Sequence, residues 1–279
     1  MRKKEESARK KEEVRQKASH KPGNLWIGTS GWMYKDWGRE FYPPEMKRGH
    51  LSFLAQTFHT VEVNTSFYHL PEQGTFRKWR EETPGDFVFS VKLSRFITHR
   101  KRLKGIRAPL LKFLNRAKFL KEKLGVVLVQ LPPNLKFDEK LISGFVEDLR
   151  TVSGKSVRTR LALEPRHASW MEEQNKSFFL PLLKSEKNIA LVFPHSSKIP
   201  SFKPEDANIT SNFVYLRFHG PSEFASSRYG TEGLRPWAGK ITRWQVCGLD
   251  VFAYFNNDVH GHAVHDAQTL LGLIKKDKE

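Results

Sequence analysis

Cysteine is almost absent from this chain: Cys247 stands alone among 279 residues. A single thiol excludes an intramolecular disulfide and a cysteine-rich metal site, and it suits a reducing cytosol. Placed in QVCGLD at a helix-to-strand junction, it reads as a small buried filler. Long apolar runs are missing too. No stretch approaches 18 apolar residues, so no membrane span is expected, and residues 1–22 lack the apolar core of a signal peptide. The expected localisation is cytoplasmic, with no membrane partner. Acidic residues are scarce beside basic ones, 30 against 48, leaving a net charge of +18. Two signatures of nucleotide and acyl chemistry are also lacking. Gly28–Thr29–Ser30–Gly31 is too short for a P-loop and has no lysine, and no Gly-x-Ser-x-Gly nucleophile turn occurs. No His-x-x-x-His or His-x-Asp pair marks a strand end as a metal site.

What is present is a recurrence. Eight short apolar segments run along the chain: Leu25–Ser30, Thr60–Asn64, Phe87–Lys92, Val126–Gln130, Arg160–Glu164, Ile189–Pro194, Phe213–His219 and Val251–Asn257. Each has the length and the Val, Leu and Phe content of a buried strand. Helix-length stretches separate most of them. These are His50–Phe58, Gln73–Glu82, Ala108–Leu124 with Gly125 as its stop, Phe137–Arg150 with Asp138 as N-cap, Gln174–Lys187, Thr231–Gln245 and His262–Lys275. Residues 195–211 look irregular. Eight strand–helix units predict a TIM-type (β/α)8 barrel, an α/β fold of about 250 residues with its active site at the C-terminal strand ends. The domain layout expected is a basic N-terminal arm, 1–22, then one barrel domain, 23–279.

Side chains alternate faces along a strand. If Val61 and Val63 pack on the outer helices, Glu62 points inward. The same parity sends Lys92, Glu164 and Arg217 into the barrel mouth. Desolvating such ions costs several kcal/mol each unless partners compensate. The four predict either a polar site or a self-neutralising network. The positive charge is concentrated as well. Between Lys92 and Lys123 stand twelve Lys/Arg and one acid, Glu122. Its first part, Arg95–Arg107, follows the third strand and so starts at the site rim, where it would attract anionic substrates or nucleic acid. The rest is the wet face of a helix. Trp32, Tyr34 and Trp37, after the first strand, either stack on a ligand or plug the barrel top.

The ordered motifs GTSGWMYKDW (28–37), FYP (41–43), TVEVNTSFYHLP (60–71), TFRKW (75–79), TPGDFVFSVK (83–92), ITH (97–99), KLGVVLVQLPP (123–133), EPRHASW (164–170), VYLRFHG (214–220) and YFNND (254–258) resemble the domain-of-unknown-function 72, or YecE-like, family over about residues 24–275. The resemblance implies a TIM barrel related to sugar isomerases and, by site analogy, to barrel nucleases acting on abasic DNA. Position by position it marks Ser30, Glu62, Asn64, Lys92, Gln130, Glu164, Arg166, His167, Arg217, His219, Asn256, Asn257 and Asp258. Two departures from the family pattern are His195, where an acid is common, and Asp266, where Asn is common.

The chemistry expected is carboxylate acid/base catalysis by Glu62 and Glu164, with His167 and His219 as proton shuttles. Ser30, Asn64, Lys92, Gln130, Arg166, Arg217, Asn256, Asn257 and Asp258 are expected to bind substrate, the arginines gripping a carboxylate or phosphate in bidentate fashion. No cofactor is required. Glu62, Glu164, His167, His195, His219 and Asp258 nonetheless offer oxygen and nitrogen ligands enough for Mg, Mn or Zn. The expected function is an isomerase-like or hydrolase-like enzyme for a small anionic or sugar-like ligand. The alternatives are a nucleic-acid-binding or nucleic-acid-processing protein using the 92–123 surface, and a binding protein without chemistry.

Overall fold

A computed structural model describes residues 21–153 and 159–276. Residues 1–20, most of the expected basic arm, lie outside the described residues. Eight parallel strands close on themselves in sequence order. They are β1 (Leu25–Ser30), β2 (Thr60–Val63), β3 (Val88–Lys92), β4 (Leu124–Gln130), β5 (Arg160–Glu164), β6 (Ile189–His195), β7 (Phe213–Phe218) and β8 (Asp250–Phe255). Closure is made by five register pairs between β1 and β8, Leu25↔Val251 through Thr29↔Phe255.

Among the described residues seven helices of eight residues or more surround the barrel: α1 (His50–Thr57), α2 (Gln73–Glu81), α3 (Arg107–Ala117), α4 (Glu139–Ser153), α5 (Glu173–Glu186), α6 (Gly230–Val246) and α7 (His262–Lys276). Between β6 and β7 the described chain is irregular except for one 3-10 turn, Asp206–Asn208. The Asp138 carboxylate accepts from the Leu141 amide at 2.9 Å and caps α4 as its position predicts.

Parity holds. Val61, Val63, Phe89, Val91, Leu161, Leu163, Val214 and Leu216 join the large outer core between strands and helices. Inside the barrel a second cluster gathers Val126, Leu128, Ala162, Val192, Phe213, Tyr215, Phe252 and Tyr254. The interior is therefore layered. Arg160 closes the bottom, its guanidinium 5.6 Å from the Phe213 ring and paired with Asp250 at 2.7 Å. A hydroxyl layer follows, in which Tyr254 meets Thr60 at 2.7 Å and Ser90 at 2.8 Å. Gly28 belongs to this level, and a Cβ there would stand 2.3 Å from the Thr60 carbonyl oxygen. The topmost layer holds the ions.

Three expectations are corrected. The helix predicted over Ala108–Leu124 stops at Ala117. A 3-10 stretch, Lys118–Lys123, follows, with Lys121 at φ 52°. The buried Lys123 ammonium then donates to the carbonyls of Arg80 at 2.6 Å and Thr83 at 2.7 Å. Gly125 lies inside β4, where a Cβ would meet Val88 at 2.4 Å, and so it is not the helix stop. Cys247 is exposed at the C-cap of α6 and is not a buried filler. Trp32 and Trp37 are buried among aromatic neighbours: Trp32 sits edge-on to Trp79 at 5.3 Å, and Trp37 lies 5.0 Å from Tyr34 and 6.0 Å from Phe41. They plug the barrel top, and only Tyr34 of the three faces open space.

Candidate active site

At the C-terminal end of the barrel lies a cleft of about 540 Å³, the location the fold reserves for chemistry. Its floor is Arg217, the last inward residue of β7, and its walls include Lys92, Gln130, Arg166, Asn64, His219 and Asn256. Tyr34, Phe67, Tyr68, His99, Phe224 and Arg95 complete it. Among the described residues no Asp or Glu lines it.

The two glutamates lie beneath this floor, fully buried and bound to cations. Glu62 receives Arg217 through two bonds, Nε to Oε2 at 3.0 Å and Nη2 to Oε1 at 2.8 Å. It also accepts from the Ser30 hydroxyl at 2.7 Å and the Tyr215 hydroxyl at 2.8 Å. Glu164 receives Arg217 Nη1 at 2.9 Å and Arg166 Nε at 2.5 Å. Arg166 and Arg217 hold the Glu164 carboxyl down at about 2, against the opposing effect of burial. Glu164 is therefore a permanent anion near neutrality. Each oxygen of Glu164 and of Glu62 accepts from a guanidinium, and together they hold Arg217 and Arg166 in place.

Charge does not balance within the cleft. Two buried carboxylates face Arg166 and Arg217, which leaves Lys92 and Arg95 without acidic partners among the described residues. The Lys92 ammonium sits 4.2 Å from the Phe67 ring centroid. Burial, and after it the like charge of Arg217, pushes it down to about 7. Arg166 uses only Nε among the described residues and stays 17% exposed, so its terminal nitrogens remain for a ligand.

The other expected residues divide. Asn256 bonds the His219 ring, Nδ2 to Nδ1 at 3.1 Å, while His219 Nε2 is buried without a partner. Burial and the Arg217 charge push His219 well below the ordinary histidine range, so it is a neutral imidazole. Gln130 accepts from Arg217 at 3.3 Å. Asn64 lines the cleft with its Oδ1 buried and unpartnered. Four expected residues stand apart from the cleft lining. Ser30 serves Glu62. His167, expected as a proton shuttle, instead turns its Nδ1 onto the Ser169 amide and hydroxyl and caps the 3-10 turn Ala168–Met171. Asn257 donates to Ser227 and to Asp266. Asp258 lies behind Tyr34, and burial pushes its carboxyl up to about 8.

The two departures from the family pattern are also removed from the cleft. His195 pairs with the Tyr229 hydroxyl at 2.8 Å. Asp266 accepts the Tyr229 and Gly230 amides at the start of α6. Sequence reasoning missed Phe67, His99 and Phe224. His99 packs edge-on to Phe67 at 4.9 Å and is pushed down to about 4 by burial and by Lys92 and Arg95. Phe224 stacks on His219 at 5.2 Å. Phe67 and His99 lie inside the motifs TVEVNTSFYHLP and ITH, whereas the signal for Phe224 is only its place after a strand end. Among the described residues no group of three or more His, Cys, Asp or Glu is arranged to hold a metal ion.

Of the basic run, several members are committed to structure. Arg107 pairs with Asp148 at 2.5 Å, Arg116 with Glu72 at 2.9 Å, and Arg102 bonds Asn134 at 2.9 Å. Arg95, Arg100 and Lys101 remain exposed. No described helix is long and apolar enough to cross a membrane.

Comparison with known proteins places this geometry. The family model described as "Protein of unknown function DUF72" matches residues 26–279. The UPF0759 protein YunF of Bacillus subtilis is 27% identical over 90% of this chain and 94% of its own length. The UPF0759 protein YecE of Escherichia coli K12 is 25% identical over 79% of this chain and 82% of its own. A DUF72 family protein from Thermotoga maritima superposes with a TM-score of 0.75 at 27% identity, covering 92% of this chain and 100% of that one. One from Enterococcus faecalis gives 0.76 at 19% identity, over 90% and 95%, and shares the fold. With its closed barrel, ordered motifs and nearly full-length match, the chain belongs to the DUF72 family.

Proposed function

We propose that this protein is an enzyme acting on a small anionic, sugar-like substrate in the cleft above Arg217. The observation that carries the reading is the unbalanced charge: Lys92, Arg95, Arg166 and Arg217 line the cleft, and the Glu62 and Glu164 carboxylates lie beneath it, already engaged. A carboxylate or phosphate completes this arrangement, taken by the terminal nitrogens of Arg166 in a bidentate grip. Asn64, Asn256 and Tyr34 then offer polar contacts to hydroxyl groups, while Phe67 and Phe224 cover apolar faces. Acid/base work falls to groups other than the two glutamates. Lys92 is poised near neutrality to take a proton. Asp258 retains one near pH 7 and lies against Tyr34, which faces the cleft. Opposite displacements of two titrating groups are how one site holds an acid and a base together.

Isothermal titration with sugar phosphates, sugar acids and the uncharged parent sugars tests this. The anionic forms should bind and the parents should not. Arg166→Ala should weaken binding roughly 10- to 100-fold, the worth of a charge-assisted hydrogen bond. Equal affinity for charged and uncharged sugars would refute the reading.

A second reading has its own support at the rim. Exposed Tyr68 and Phe96 lie near Arg95, Arg100 and Lys101, and Lys101 sits 5.9 Å from the Phe96 ring. Such a mixture suits single-stranded nucleic acid. Binding of an oligonucleotide that falls steeply with salt and is lost in Phe96→Ala would favour it.

A further inference from the structure

Lys92 ends β3 and is the one cation of the top layer for which the described residues supply no carboxylate. Glu62 accepts from Arg217, Ser30 and Tyr215 with two bonds on each oxygen, and Glu164 gives one oxygen to Arg217 and the other to Arg166. What Lys92 has instead is the face of Phe67 at 4.2 Å, three guanidiniums in the same cleft and an exposure of 9%. The fold aims both carboxylates at arginines and leaves the amine bare. Desolvation and neighbouring cations are the two influences that turn a lysine into a nucleophile. Both act here, and they bring its titration down to about 7.

We propose that Lys92 forms a covalent Schiff base with its substrate, and that the substrate class is a small aldehyde or ketone bearing a carboxylate or phosphate. This rests on the anion-binding reading of the cleft and names the chemistry that follows anchoring. The Nζ lone pair adds to the carbonyl carbon, a C–N bond forms, and the C=O π electrons move to oxygen. A proton passes from nitrogen to that oxygen. One further proton, from solvent, lets the C–O bond break with loss of water. The iminium that remains carries one positive charge. The anion the substrate brings balances it in a cleft that already holds three more cations. Anchoring at Arg166 makes the attack intramolecular in effect, and positioning of this kind supplies several kcal/mol toward a barrier.

The test is reductive trapping. The full-length protein is incubated at pH 7.5 with glyoxylate, with glyceraldehyde 3-phosphate, or with uncharged glyceraldehyde. Sodium cyanoborohydride is added, and adducts are mapped by peptide mass spectrometry. The expected result is a Lys92 adduct from the two anionic probes at least 10-fold above the mean of exposed lysines such as Lys47 and Lys112. Uncharged glyceraldehyde should show no such preference. Arg166→Ala should cut the Lys92 adduct at least 10-fold and leave surface labelling unchanged, a readout that needs no knowledge of the natural reaction. Adducts spread evenly over surface lysines, with Lys92 no higher, overturn the proposal. Titration of the same probes without reductant separates the causes. Anions that bind in an Arg166-dependent way without an adduct sink the nucleophile and leave the anion site standing. Anions that do not bind at all sink both.

Discussion

Arg217 grips Glu62 with two parallel hydrogen bonds, Nε to Oε2 at 3.0 Å and Nη2 to Oε1 at 2.8 Å, and both side chains are almost wholly removed from water. The same guanidinium reaches Glu164 with Nη1. One cation thus orders two carboxylates and forms the floor of the cleft. Replacing Arg217 by Met leaves two buried anions short of a partner. Breaking a buried pair in this way costs about 3–5 kcal/mol. Urea denaturation of Arg217→Met should show that loss. Glu62→Gln, which keeps the volume and one acceptor oxygen, should lose less.

The acid limb of stability belongs to Glu164. Its carboxyl titrates at about 2 in the fold and near the ordinary 4.5 when unfolded. A group depressed in the folded state contributes stability that is present above pH 4.5 and lost as pH falls toward 2. Thermal unfolding followed between pH 6 and 2 should show a fall in this window. It should be blunted in Glu164→Gln, which begins from a lower plateau.

Asp258 runs the other way. Its folded value of about 8 exceeds the ordinary 3.8, so the unfolded chain binds fewer protons between the two and stability declines as pH rises across that range. Asp258→Asn should therefore gain stability relative to the parent on going from pH 4 to pH 8. A stability difference that does not change with pH would show that Asp258 is not held protonated.

Lys92 is costly to the fold in its charged form. Between about 7 and 10.5 the unfolded chain holds the extra proton, so stability should rise with pH through that window. Lys92→Met should melt above the parent at pH 6, and the gap should close by pH 10.5. Such a stabilising substitution at the price of function is the usual trade at an active site. Calorimetry on the pair checks the sign.

Lysines of the basic run are not equivalent. Lys123 is buried and donates to the Arg80 and Thr83 carbonyls and the Thr83 hydroxyl. Lys123→Met should cost about 1–3 kcal/mol for acceptors left unsatisfied. Arg100→Ala and Lys101→Ala, on the exposed rim, should stay within about 0.5 kcal/mol of the parent. Chemical denaturation of the three separates structural charge from charge available to a ligand.

Much of this was legible in one dimension. Strand parity placed Glu62, Lys92, Glu164 and Arg217 in one layer, because alternation is a local property of extended backbone. The Asp138 cap and seven helix positions were equally local. The end of α3 was not. Its apolar spacing runs on past Ala117, and the break there accompanies Lys123 turning onto the carbonyls of Arg80 and Thr83, from a different part of the chain. The same limit hid the roles of His167 and Asn257. Each sits in a motif beside a strand end, and only the neighbours Ser169, Ser227 and Asp266 show which way its polar atoms turn.

The sequence by itself determined the barrel, its eight strands and the set of ions at its mouth, since period-two patterning and segment length follow from bonding geometry along the chain. Only the tertiary structure decided which ions pair. Ion pairing depends on distances of a few ångströms between residues as many as 155 positions apart, and on how much water reaches them. Those distances assign both glutamates to the arginines and leave Lys92 facing the cleft without one.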